Sequence, residues 1–175
     1  MADILMRPHH LLCTQAFRGM GYSKEFTENM AALVKMMKED DDFTLELVSG
    51  TDHICRACPN KIGENVCKDD EKVLLFDKKI KEMFGLEYGK KYNYKELTEK
   101  IDSNLDENKL FLICGNCSWY EKSRCRDYIL QNDDKAEKDL MGTIFKVILD
   151  LIIKHFDRRI NIISLPCHTD RKPVF

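Results

Sequence analysis

Eight cysteines dominate the chemistry this sequence can offer, and six of them fall into two similar groups. Cys55, Cys58 and Cys67 lie in CRACPNKIGENVC, and Cys114, Cys117 and Cys125 in CGNCSWYEKSRC, an internal echo of a Cys-x2-Cys pair followed by a later Cys. Two thiolates separated by two residues can point from a tight knuckle at one centre, and the third can return after a loop. Three thiolates need a fourth donor to close a tetrahedral zinc site. An iron–sulfur cluster also takes four protein ligands, normally Cys, with His as the usual substitute. The N-terminal RPHHLLC supplies donors in His9, His10 and Cys13. On a helix, His9 and Cys13 are i,i+4 and His10 and Cys13 are i,i+3, so either imidazole can share a face with that thiol. The expected ligands are therefore Cys13, Cys55, Cys58, Cys67, Cys114, Cys117 and Cys125, with His9 and His10 making up a shortfall. Thiolates of both groups can converge on one centre or form two.

Clustered Cys in a reducing compartment point to metal or redox chemistry rather than disulfides. That compartment is the expectation here. The opening MADILMRPHH has no basic run followed by an apolar core, so no signal peptide is expected and the protein is placed in the cytoplasm. The longest apolar stretch, Ile144 to Ile153, is broken by Lys146 and Asp150, so no membrane span is expected. With 28 Lys+Arg against 30 Asp+Glu there is no basic excess, which argues against nucleic acid as a partner. The 175 residues, 33% charged and 43% hydrophobic, suit one globular domain with an appendage. No Gly-rich phosphate loop, Ser/His/Asp set or H-E-x-x-H motif names a reaction. His53 reads as a loop residue, Trp119 as a lid over the site, and Cys167 with His168 as residues without a role.

These donors must be held by a small, mainly α domain with one or two short β-strands. Pro8 suits the first turn of a helix through LLCTQAF, which Gly19 and Gly21 end. Ser23 caps a second helix with Phe26, Met30, Leu33, Val34 and Met37 on one face. Phe43 to Val48 alternates as a strand. Asp69 to Phe84 reads as a helix with Val73, Leu74, Phe76, Ile80, Met83 and Phe84 on its apolar face. Asn93 caps another, running to about Asn104. Leu110 to Ile113 leads into the second Cys group. Ala136 to Phe156 is a strongly apolar helix candidate, suited to a core or a homo-oligomer face, and Ile160 to Leu165 a strand candidate. Residues 1–127 form the expected metal-binding domain and 128–175 a helical extension packed on it.

The run RPHHLLC, FRGMGYS, FTENM, TDHICRACPN, DEKVLLFDKKI, YNYKEL and CGNCSWYEKSRC resembles an uncharacterised prokaryotic family, domain of unknown function 1284, over about residues 4 to 126. The family pattern matches Arg7, His9, His10, Cys13, Cys55, Cys58, Cys67, Cys114, Cys117, Trp119 and Cys125. The resemblance implies iron–sulfur binding and attaches no reaction to it. Spacing and resemblance together favour an iron–sulfur cluster, of 4Fe–4S type, with an electron-transfer or redox-sensing role and a redox or protein partner. Two other readings stand beside it. One is a zinc-stapled interaction module; the other is an enzyme whose open metal site is flanked by Arg7, His9 and His10.

Overall fold

A computed structural model describes residues 4–130. They belong to the first of two compact units, Met1–Gln131. The helix and strand expected at 136–156 and 160–165, with Cys167 and His168, lie outside the described residues.

Six α-helices and five short strands make up the described residues, so the domain is mainly α with short β-strands. Helix α1, His10–Ala16, starts where Pro8 is already buried, and the His10 and Leu11 amides close its first turn on the carbonyls of Arg7 and Pro8. Gly21 then lets the chain fold back onto α2. A Cβ there would lie 2.6 Å from both the Phe26 ring and the Thr27 hydroxyl. Helix α2, Lys24–Glu39, is capped by the Ser23 hydroxyl, which accepts from the Phe26 amide at 3.1 Å. Its five apolar positions named above are its buried residues. Each such side chain contributes about 1.5–3 kcal/mol relative to exposure.

A three-stranded sheet lies at the centre, with β2 (Thr44–Leu47) between β1 (Ile4–Met6) and β5 (Lys91–Asn93). β1 runs parallel to β2 and β5 antiparallel, with Leu45 opposite Ile4 and Tyr92. His53 closes the free edge of β1: its amide donates to the Leu5 carbonyl at 3.2 Å, and its Nδ1 accepts from the Leu5 amide at 2.9 Å. After a 3-10 turn at Ile54–Ala57, strands β3 (Lys61–Gly63) and β4 (Val66–Cys67) form a small hairpin. Asn65 turns it with φ +59°.

Helix α3, Asp70–Phe84, ends at Gly85 in the left-handed region, φ +62°. Helix α4, Tyr94–Asn104, is capped by the Asn93 side chain, and α5, Glu107–Cys114, by Asp106. Helix α6 covers Cys125–Leu130. Met6, Leu11, Leu45, Leu47, Ile54, Ile80, Ile101, Leu110 and Ile113 have no exposed surface, so sheet and helices share one core. Among the described residues, no helix is long and apolar enough to cross a membrane.

Candidate metal centre

The two histidines are fixed by two carboxylates with no exposed side-chain surface, one from the loop before the first Cys group and one from α3. Asp77 Oδ1 accepts from the His9 amide at 3.0 Å and from His9 Nδ1 at 2.7 Å, while its Oδ2 accepts from Arg7 Nε at 2.8 Å. Asp52 Oδ2 accepts from the Arg7 amide at 2.7 Å and from His10 Nδ1 at 2.6 Å, while its Oδ1 takes the Cys55 amide at 2.9 Å. Burial opposes ionisation of both acids. It is outweighed at Asp52 by His10 and the Arg7 and Cys55 amides, and at Asp77 by His9 and Arg7, so both carboxyls sit below their usual range. Burial, with the charges of His10 and Arg7, lowers the His9 imidazole to about 4. A carboxylate only accepts, so Nδ1 carries the hydrogen in each pair. Among the described residues neither Nε2 has a hydrogen-bond partner.

Both rings line a cavity of ≈160 Å³, and so do Cys13, Cys114, Cys117 and Cys125. Helix α1 places His10 and Cys13 one turn apart. Helix α5 ends on Cys114, the loop beyond it carries Cys117 and Trp119, and α6 begins at Cys125. Ser123 hydrogen-bonds the Cys125 sulfur and tethers it to the Trp119 carbonyl. Trp119 stands edge-on to Tyr22 with centroids 5.3 Å apart, in the cavity wall beside the sulfurs. Burial pushes the Cys13 thiol well up, and the neighbouring Cys117, Cys114 and Cys125 push it further. Burial, Cys117 and Cys125 likewise raise Cys114 to about 12. Neighbouring thiolates repel one another, so full deprotonation of all four calls for a cationic partner.

Cys55, Cys58 and Cys67 do not line that cavity. Their knuckle nevertheless repeats the turn of the other group. The Cys58 amide donates to the Cys55 carbonyl and Lys61 to Cys58, as Cys117 donates to Cys114 and Tyr120 to Cys117. Burial raises the Cys58 thiol and the neighbouring Cys67 adds to the rise, while the Asn60 and Lys61 amides oppose it. Asp70 holds the Cys67 amide at 3.1 Å. The Cys55 sulfur instead lies with His10 and Asp52, ligand atoms all within 4.8 Å of one another. Those Asp52 oxygens already accept three N–H groups, so the trio is a hydrogen-bonded node rather than an open ion site.

The structure therefore brings Cys13 to the second cysteine group and leaves the first group apart from it. Arg7 does not line the cavity. It is 1% exposed, binds Asp77 and Asp70, and keeps its Nη2 buried without a partner. All seven described cysteines are free. A single tetrahedral ion with S–metal bonds near 2.3 Å draws its sulfurs to about 3.8 Å from one another. The four-thiol set has the donor type and number for a cluster or for a tetrahedral ion.

Sequence reasoning missed Asp52 and Asp77, which orient everything at the N-terminal motif. Asp77 left a signal: it falls on the buried stripe of α3 with Phe76, Ile80 and Phe84, where a carboxylate needs a partner. Asp52 left only its place three residues before Cys55.

A family model described as "Protein of unknown function (DUF1284)" matches residues 21–123. That span includes five of the cysteines, from Cys55 to Cys117, and Trp119, but not His9, His10, Cys13 or Cys125. Neither a curated protein nor a solved structure matches the chain.

Proposed function

We propose that this chain, which belongs to the DUF1284 family of proteins of unknown function, is an iron–sulfur protein with an electron-transfer or redox-sensing role. Its donors would be Cys13, Cys114, Cys117 and Cys125. One observation carries the reading: four free thiols from α1, the end of α5, the following loop and the start of α6 line one cavity. A cluster bound there would supply one-electron chemistry. The chain's own part is to fix the donors. Helix α1 holds Cys13 through its buried face of Leu11, Leu12 and Ala16. The Cys114–Cys117 turn and the Ser123 hydrogen bond fix the other three. Trp119 and Tyr22 form the part of the wall that limits water at the sulfurs.

The zinc reading keeps its place at the other knuckle, where Cys58 and Cys67 are neighbouring thiols.

Protein purified without air and analysed for iron, acid-labile sulfide and zinc, with a visible spectrum before and after dithionite, tests the proposal. Iron and sulfide with visible absorbance that bleaches on reduction support it. Colourless protein holding zinc alone, also after anaerobic reconstitution with iron and sulfide, overturns it.

A further inference from the structure

The two histidines remain after the sulfurs have been assigned, and they are more elaborately held than a packing role requires. His9 and His10 are consecutive, their ring centroids 4.1 Å apart and tilted by 49°. Each gives Nδ1 to a different carboxylate, Asp77 from α3 and Asp52 from the loop before Cys55, and neither carboxylate has exposed side-chain surface. Those carboxylates are themselves fixed, by Arg7 Nε on one and by the Arg7 and Cys55 amides on the other. The side chains of His9 and His10 are 14% and 11% exposed, and the surface they show belongs to the cavity wall. With Nδ1 engaged, the nitrogen left in each ring is Nε2, and among the described residues it has no partner.

An imidazole whose Nδ1–H is held by a carboxylate has one tautomer and one orientation, the outer-shell arrangement of metal-bound histidine. Two such imidazoles side by side on one cavity form half of a coordination sphere. We propose that His9 and His10 bind a divalent cation of the class that favours imidazole, such as zinc, cobalt or ferrous iron, through their Nε2 atoms, on the wall of the cavity that Cys13, Cys114, Cys117 and Cys125 also line. Two protein donors leave further positions for water or a small anionic ligand, the open form that supports chemistry at a metal. Asp77 and Asp52 are positioning residues in this site, since they act through the rings.

The proposal does not depend on the identity of the thiol-bound group. Zinc is titrated into full-length, anaerobically prepared protein carrying 15N-histidine, with whatever group the sulfurs hold left in place, and the ring nitrogens are followed by NMR. One equivalent is expected to shift Nε2 of His9 and His10 while both Nδ1 atoms stay protonated. His9→Gln or His10→Gln should weaken zinc binding at least tenfold, and Asp77→Asn by about 10–100-fold. Stoichiometric zinc that leaves both Nε2 resonances unmoved in the wild-type protein overturns the proposal, a result that needs no variant to fold. Equal zinc affinity in a folded His9→Gln/His10→Gln variant, judged by circular dichroism, overturns it as well. Absence of iron and sulfide would count against the cluster and leave this measurement intact.

Discussion

Replacing Asp77 by Asn isolates the device that holds the N-terminal motif. Asp77 has no exposed surface and accepts three N–H groups, two from His9 and one from the Arg7 guanidinium. Asparagine keeps the shape but offers one acceptor oxygen and one NH₂. Whichever way the amide turns, a donor faces either Arg7 Nε or His9. The larger loss is charge. Arg7 is 1% exposed and already has a buried, unpartnered Nη2, so its remaining carboxylate is Asp70 at 3.4 Å, itself partly exposed. Breaking a buried ion pair from one side costs about 3–5 kcal/mol. At about 2–4 °C per kcal/mol for a chain of this size, the melting temperature should fall by about 6–20 °C. Urea unfolding of metal-free protein measures this directly, as a lower midpoint at an unchanged m-value. An Arg7→Met/Asp77→Leu variant, which removes both charges, should lose less stability than Asp77→Asn alone. A loss below about 1 kcal/mol for Asp77→Asn would refute the assignment of Asp77 as the counter-charge of Arg7.

Cys13→Ser and Cys117→Ser should each reduce bound iron and visible absorbance, whereas Cys67→Ser should spare both, as iron analysis of anaerobic preparations would reveal. Ser23→Ala removes the hydroxyl that accepts from the Phe26 amide and should cost about 1 kcal/mol in urea unfolding. The His9 pKa is lowered to about 4 in the folded state, so the unfolded chain binds the extra proton between that value and the unperturbed ~6.5. Stability of the metal-free protein is therefore fully present above about 6.5 and is lost as pH falls towards 4, by on the order of 3 kcal/mol. The depressed Asp52 and Asp77 carboxyls extend the loss at lower pH. Urea midpoints at a series of pH values check the sign, and His9→Gln should flatten the slope between 6.5 and 4.

The helices were readable where one local signal decides them. Ser23 and Asn93 cap α2 and α4 as the sequence indicates, because a cap and the face behind it are encoded within a few residues. On α3 the reading was less sharp: Leu74 belongs to the apolar pattern yet is 42% exposed, while Asp77 is buried. Periodicity alone cannot reveal that a carboxylate on the core stripe has a guanidinium and an imidazole waiting for it. Strands β1 and β5 went unread, since three residues carry no alternation to detect and their partners lie tens of residues away. The Cys-x2-Cys knuckles were readable as a repeated turn, and both make the same pair of amide-to-carbonyl bonds. Which of them Cys13 would join was not, because that depends on how α1 packs against α6.

The arrangement of α1 bears on why the motif keeps its two histidines together. The helix has seven residues and no side-chain cap hydrogen bond, so little of its stability is intrinsic. It is held from its start by Asp77 and Asp52, through the His9 and Arg7 amides as well as the rings. The same carboxylates fix the approach of α3 and of the Cys55 loop, because Arg7 Nε and the Cys55 amide bind the oxygens that the histidine rings leave. Cys13, one turn along α1, inherits its position from this clamp. Loss of Asp52 should therefore disturb both knuckles at once, the first through Cys55 and the second through Cys13. A substitution at Ser123 should be felt at Cys125 alone. Comparing visible absorbance with zinc content in Asp52→Asn and Ser123→Ala separates these paths: the first variant should change both readouts and the second only the absorbance. Equal behaviour of the two variants would mean that α1 is positioned by its apolar face and not by the carboxylates.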